Sequence, residues 1–275
     1  MGYKHGIYTV SQVLPGHYRI ENSHVYMDLI VGSHHALLWD TGYGYDDLGS
    51  VIREITELPL YVVVSHGHID HACGNWQFDQ VYIHPKDMDL CRLHNSPQMR
   101  NVELVAAEVP DGFDMEAHLQ RGPGTLTPIQ EGNVFDLGGK TLEVISLPGH
   151  TAGSIGLLCK EEKLIYLGDA ANDFVWLFLP EAEPVSVYRD TLQKLMALDF
   201  NWMLQSHCEP LLPKRRLDWY MDLVTDLEYR SGTIVPPPIE TGIEARICIR
   251  GGLTLEDRGR EDFAAILIGA DKVDI

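Results

Sequence analysis

Leu60-Tyr-Val-Val-Val64-Ser-His66-Gly-His68-Ile-Asp70-His71 is the stretch on which the reading of this chain turns. The β-branched run Leu60 to Val64 predicts a strand buried on both faces. His66 begins where that strand ends. Four potential metal ligands then occupy six positions, His66 to His71. His66 and His68 are two apart at a strand end, so both point to the same face. Neutral imidazole nitrogen and carboxylate oxygen are both standard zinc ligands. Asp70 and His71 come where the chain turns and can point to a second spot close to the first. One short loop can thus feed two metal positions. A lone histidine is more often a core or surface residue than a ligand, but four ligands at this spacing are hard to obtain by accident.

Three more residues share this setting. His150 follows Leu147-Pro-Gly149, Asp169 follows Tyr166-Leu-Gly168, and His207 follows Gln205-Ser206, each at the end of an expected strand. Loops at strand ends are where α/β-type folds collect functional residues. The remaining histidines (His5, His17, His24, His34, His35, His84, His94 and His118) carry no such context. Of these, His84 ends a strand beside Pro85 and is the one that could approach the site.

Around this stretch the chain alternates strands and helices. Val25 to Val31 and Ala36 to Asp40 read as strands about a Gly32-Ser-His-His35 hairpin turn. Asp46 or Asp47 caps a helix that stops before Pro59. Strands follow at Gln80 to His84, Thr141 to Leu147, Ile155 to Cys159, Leu164 to Leu167 and Trp202 to Gln205. Helices are expected over Ser186 to Leu198, by apolar spacing, and over Pro213 to Arg230, with Pro at the start and Gly232 past the end. Pro85 to Gly132 reads as a helical and loop insertion. Two similar halves meet near Pro148. The domain reading is residues 1–232 with that insertion, then a short strand-containing extension, 233–275, packed on the same domain.

The bulk properties narrow the function. The 275 residues allow one large or two small domains. At 45% hydrophobic and 22% charged, the balance is that of a globular protein. A net charge of -19 repels phosphate backbones and anionic lipid heads, so neither nucleic acid nor membrane is an expected partner. No export signal is expected from the N-terminal residues, and no run approaches the roughly 20 apolar residues of a spanning helix. Five cysteines, without a C-x-x-C pair, predict a reduced, cytoplasmic setting.

The His66–His71 stretch resembles the H-x-H-x-D-H signature of the metallo-β-lactamase superfamily, including its glyoxalase II and lactonase members. His150, Asp169 and His207 match that superfamily's later motifs in order, and Asp40, in Leu38-Trp-Asp40-Thr-Gly, looks like its early Asp motif. The resemblance covers about Val25 to His207. It implies an α+β fold, an αββα four-layer sandwich of two mixed sheets flanked by helices. It implies that His66, His68 and His150 bind a first metal and Asp70, His71 and His207 a second. Asp169 then bridges the two, Asp40 fixes ligand orientation, and Asp70 is the catalytic group that aims the attacking hydroxide. Two divalent ions, Zn2+ foremost with Fe or Mn as alternatives, lower the pKa of a shared water and neutralise developing charge.

The expected function is a metal-dependent hydrolase using a metal-bridging hydroxide on an ester, thioester or lactone-type small molecule. The alternative is a mononuclear iron oxidoreductase resembling persulfide dioxygenases. True β-lactamases of the superfamily generally lack a residue like Asp169, so antibiotic hydrolysis is not expected. Asn172 stands where acyl-homoserine lactonases commonly have a Tyr, and the strand-like tail differs from the helical tail of glyoxalase II. Phe174-Val-Trp-Leu-Phe-Leu-Pro180 reads either as a hydrophobic lid over the metals, selecting an apolar substrate, or as a packed strand or homodimer contact. Lys214-Arg-Arg216 is a candidate anion site, weighed against a solvated surface.

Overall fold

The computed structural model describes residues 2–103, 108–225, 232–236, 242–258 and 260–274. Its first sheet runs in sequence order. The strands are β1 (Tyr3–His5), β2 (Tyr8–Leu14), β3 (His17–Asn22), β4 (Val25–Val31), β5 (Ala36–Trp39), β6 (Leu60–Val63), β7 (Val81–Ile83) and β8 (Leu126–Pro128). β1 to β5 are antiparallel, and β5 to β8 pair in parallel. The switch follows from the connections. Gly32 to His35 closes a tight hairpin, whereas β5 reaches β6 through helix α1 (Leu48–Ile55), which a parallel crossover needs. Asp47 caps that helix by accepting the Ser50 amide.

The second sheet takes β9 (Val134–Asp136), β10 (Thr141–Ser146), β11 (Ile155–Cys159) and β12 (Leu164–Tyr166). The chain then leaves for a strand in another sheet, β13 (Phe174–Leu177), and returns as β14 (Trp202–Gln205) and β15 (Cys208–Pro213). β12 and β14 are parallel, so their C-terminal ends share one edge. β13 joins a smaller third sheet with β16 (Thr233–Val235), β17 (Ala245–Ile249) and β18 (Ala265–Gly269), in the order β13-β18-β17-β16.

Strand alternation sorts the apolar side chains into layers. Leu37, Trp39 and Val63 of the first sheet meet Leu142, Val144, Leu157, Leu164 and Tyr166 of the second in one buried core. The opposite faces turn outward to helices. Ala36, Leu38 and Val62 pack on Leu48, Val51 and Ile52 of α1, while Ile145, Leu158 and Ile165 pack on α6 (Val185–Ala197) and α7 (Leu217–Thr225). The result is the expected four layers, helix–sheet–sheet–helix. Each fully buried Leu or Val contributes roughly 1.5–3 kcal/mol to holding them together.

Several expectations need correcting. The chain passes through a one-turn helix α2 (Ile69–Ala72), and the segment 85–132 then contains α3 (Met88–His94), α4 (Pro97–Glu103) and α5 (Met115–Leu119), but near its end lies β8, a full member of the first sheet. The two sheets part between Ile129 and Asn133, not at Pro148. The residues after Pro213 begin as a 3-10 turn, Lys214–Arg216, and α7 follows; Pro213 itself ends β15. Arg230 lies outside the described residues. No described helix is long and apolar enough to cross a membrane.

Candidate metal centre

The edge where strands of both sheets end gathers the chemistry. β6 stops at Val63, so His66 and His68 stand in the loop beyond it rather than on the strand, with His68 just before the one-turn helix α2 (Ile69–Ala72) that carries Asp70 and His71. His150 follows β10, Asp169 follows β12, and His207 occupies the turn between β14 and β15. Backbone bonds lock the two sheets together here: Ile155 donates to the Ser65 carbonyl at 3.0 Å, and Tyr26 to the Ser206 carbonyl at 2.8 Å.

Each of the five imidazoles has one nitrogen anchored. His66 Nδ1 lies 2.9 Å from Ser65 Oγ, whose proton goes to Asp40. His68 Nε2 donates to Glu181 Oε1 at 2.7 Å. His71 Nδ1 donates to Asp40 Oδ2 at 2.9 Å. His150 Nδ1 donates to the Trp176 carbonyl at 2.9 Å, and His207 Nδ1 to the His24 carbonyl at 3.1 Å. Carbonyls and carboxylates accept only, so the protons of the neutral rings sit on these outer nitrogens. The inner nitrogens are left as lone pairs.

Those inner nitrogens converge. His66 Nε2 and His150 Nε2 lie 3.0 and 2.9 Å from His68 Nδ1. His71 Nε2 and His207 Nε2 each lie 3.3 Å from Asp70 Oδ2. Asp169 stands between the two sets, with Oδ1 3.6 Å from His71 Nε2 and Oδ2 3.3 Å from His207 and 3.8 Å from His150. His71 Nε2 and Asp169 Oδ1 are buried without any hydrogen-bond partner. Lone pairs facing each other at such distances, out of water, are stabilised by a positive charge among them, a metal ion or, at His71 and His207, a proton. Three triads of this kind, His66/His68/His150, His66/His71/Asp169 and Asp70/His71/His207, place donor atoms within 4.8 Å of one another. All seven residues of the sequence-predicted set are therefore together, and the donor chemistry fits divalent metal.

The electrostatics divide in the same way. Burial, helped by neighbouring imidazoles, keeps His66 neutral and lowers His150 to about 4. Burial also opposes charge on His71 and His207, but the carboxylates of Asp70 and Asp169 outweigh it, raising His71 and taking His207 to about 10. Burial would raise Asp70, yet His71 and His207 hold it well below the usual carboxylate range. Without a metal, protons on His71 and His207 balance these acids.

Asp40 lies behind His71, accepting from its Nδ1. It is wholly buried and also accepts the Ser65 amide at 2.7 Å and the Ser206 hydroxyl at 3.2 Å. Three supporting residues carried no sequence signal. Asp87 accepts the Gly67 amide, the Thr151 hydroxyl and the Gly153 amide, tying the His66–His68 loop to the His150 loop. Buried Arg19 donates to the Gln205, Cys208 and Glu209 carbonyls and so holds the turn bearing His207. Glu181 holds His68. His84 does not join the site; its ring accepts the Lys86 amide. His94 does come near, its ring 4.9 Å from that of His68.

The centre floors a cleft of about 270 Å³ walled by Tyr43, Asn172, Phe174, Trp176 and Arg258. The aromatic segment is a packed strand, with Val175 and Leu177 buried where β13 pairs with β18, and its Phe174 and Trp176 line the cleft. A cavity of about 420 Å³ beside it, lined by Tyr45, Trp76, Phe113 and Arg121, contains none of the seven residues. The basic run is split: Arg215 is exposed, whereas its neighbours are committed to the fold. Arg216 is buried, donating to Asp173 and to the Phe263 carbonyl, and Lys214 donates to the Leu198 carbonyl.

Comparison with known proteins agrees. The pattern of the Metallo-beta-lactamase superfamily matches residues 24–207. Acyl-coenzyme A thioesterase MBLAC2 of Homo sapiens is 32% identical over 187 residues, 62% of this chain and 66% of the relative. Hydroxyacylglutathione hydrolase GloC of Haemophilus influenzae is 30% identical over 129 residues, 43% of this chain and 54% of the relative. The matches thus span less than two thirds of these relatives' own length. Among solved structures, a metallo beta lactamase from Erythrobacter litoralis superposes with a TM-score of 0.58 at 16% identity, covering 82% of this chain and 100% of that one. The sec-alkylsulfatase Pisa1 from Pseudomonas sp. gives 0.58 at 16% identity, covering 81% and 42%. Such low identities speak for the shared fold alone. With its sequence pattern matched from the turn before β4 to His207, this chain belongs to the metallo-β-lactamase superfamily.

Proposed function

We propose that the protein is a dinuclear metal-dependent hydrolase of acyl thioesters. His66, His68 and His150 hold the first ion, Asp70, His71 and His207 the second, and Asp169 both. Zinc is the first candidate, since neutral imidazoles with carboxylates suit it, though such a donor set also takes iron or manganese. When bound, two such ions supply Lewis acidity and an activated water at neutral pH.

The protein's own groups do the rest. Asp70 stays ionised and accepts a hydrogen bond from the attacking water, which aims it. Phe174 and Trp176 offer the acyl group an apolar wall. Arg258 is the one Arg or Lys among the described residues lining the cleft, placed at its rim over the Phe174 ring. It suits a leaving group that carries negative charge away from the reacting carbonyl. Among the described residues, Ser23 is the one Ser or Cys that lines the cleft.

The observation that carries this reading is the set of five imidazoles, each anchored by its outer nitrogen and each turning its inner nitrogen toward the shared centre. The substrate class is supported by relatives named for hydrolysing acyl groups on coenzyme A, on glutathione and on an ACP. The test is a panel of acyl thioesters, oxygen esters, lactones and phosphodiesters, assayed before and after chelation. Thioester turnover that disappears on chelation and returns with zinc is expected. A fully metal-loaded protein that leaves every thioester intact would overturn the proposal.

A further inference from the structure

His68 is committed on both sides of its ring. Nδ1 faces His66 and His150, while Nε2 donates to Glu181 at 2.7 Å. Glu181 comes from the turn after β13, 113 residues further along the chain. The same segment supplies the Trp176 carbonyl that fixes His150. Two of the three imidazoles of the first triad therefore take their tautomer from one short stretch, 176–181.

That stretch is held from outside the superfamily-matched region. β13 pairs with β18 from Phe174 against Ala265 to Leu177 against Ile268. Lys272 donates to the Pro180 carbonyl at 3.1 Å. His94 completes the surroundings of His68. His68, His94 and Glu181 have donor atoms within 4.8 Å of one another, as a metal triad would. Their hydrogen bonds argue otherwise. His94 Nδ1 accepts the Ile69 amide, so the neutral ring carries its proton on Nε2, and His68 Nε2 is itself a donor. Neither imidazole has a free lone pair for an ion there.

We propose that Glu181 is a positioning residue for the first metal, acting through His68 to keep the Nδ1 lone pair aimed inward. The proposal rests on the two-metal reading above. A carboxylate behind a ligating imidazole fixes its tautomer and raises its basicity. Removing it leaves His68 free to carry its proton on Nδ1, where it cannot ligate.

The experiment compares wild type, Glu181→Ala and Glu181→Gln by zinc competition against a chromophoric chelator. The visible spectrum of the cobalt-substituted protein and histidine 15N shifts of the metal-free protein complete it. E181A is expected to bind one of two ions about 10–100-fold more weakly, with the other unchanged. Its His68 should shift from the Nε2–H form toward a mixture. E181Q, whose amide oxygen still accepts from Nε2, should fall between it and wild type. Thermal melts of the metal-free proteins check folding, and E181Q retains the shape of Glu181 should E181A not fold. Wild-type affinity for both ions in the two variants would overturn the role, as would an equal loss of both ions. Wild-type protein that takes up fewer than two ions would instead overturn the dinuclear reading beneath it.

Discussion

Asp40→Asn isolates what one buried carboxylate does for the centre. Asp40 has φ +63°, a left-handed conformation that Asn tolerates and Ala does not, so Asn removes charge without adding backbone strain. In the wild type, Oδ1 accepts the Ser65 amide and Oδ2 accepts His71 Nδ1, Ser65 Oγ and Ser206 Oγ. An Asn that keeps its oxygen on the Ser65 amide turns its NH₂ toward the other three. The two hydroxyls can rotate and accept instead. Without metal the protonated His71 meets the NH₂ with its own Nδ1–H, and on losing a proton it can accept from Asn only by keeping the other on Nε2, which removes the lone pair a metal would need. One charge-assisted bond is lost and a buried group is left mismatched, for a combined cost of about 3 kcal/mol in stability. Affinity for the second ion should fall about 10–100-fold while the first holds. Urea unfolding of the metal-free protein and chelator competition measure the two effects. Unchanged stability with two ions bound as tightly as in wild type would show that the Asp40 carboxylate does not hold His71 in its ligating form.

Further outcomes follow from the same geometry. Because Asp70 and Asp169 keep His71 and His207 protonated in the metal-free protein, loading two ions near pH 7 should release about two protons per chain. Calorimetry in buffers of different ionisation enthalpy counts them. Metal affinity should accordingly rise with pH up to about 10, where His207 loses its proton unaided; release of none would contradict the assignment. Gly168→Ala should cost about 2–4 kcal/mol, because Gly168 has φ +54° and a Cβ there would lie 2.6 Å from Ser65 Cβ. A thermal melt decides, and no loss would show that the turn into Asp169 is freer than described. Arg258→Ala should raise KM up to about fivefold for thioesters of an anionic carrier and leave neutral thioesters alone, the size of one exposed charge contact. Equal effects on both would remove Arg258 from leaving-group recognition.

How legible all this is in the sequence depends on how local each signal is. The run Leu60 to Val64 shows its burial in its own composition, and the four ligands that follow it fall within six positions, His66 to His71. His150, Asp169 and His207 were legible because each directly follows a strand. β8 was hidden because a three-residue strand, Leu126–Pro128, has too little length for alternation. β15 was hidden by Pro210 and Pro213, which an edge strand tolerates. Arg216 reads as a surface charge beside Lys214 and Arg215, and only the fold brings Asp173 and the Phe263 carbonyl to it. Glu181, Asp87 and Arg19 are single polar residues whose importance comes from partners far along the chain, and no spacing announces them.

In the proposed centre seven side chains hold two ions. Anomalous diffraction at the zinc edge from zinc-loaded crystals tests it most directly. Two peaks are predicted, one enclosed by His66, His68 and His150, the other by Asp70, His71 and His207, with Asp169 reaching both. A single peak, or one seated between His94 and Glu181, would contradict it.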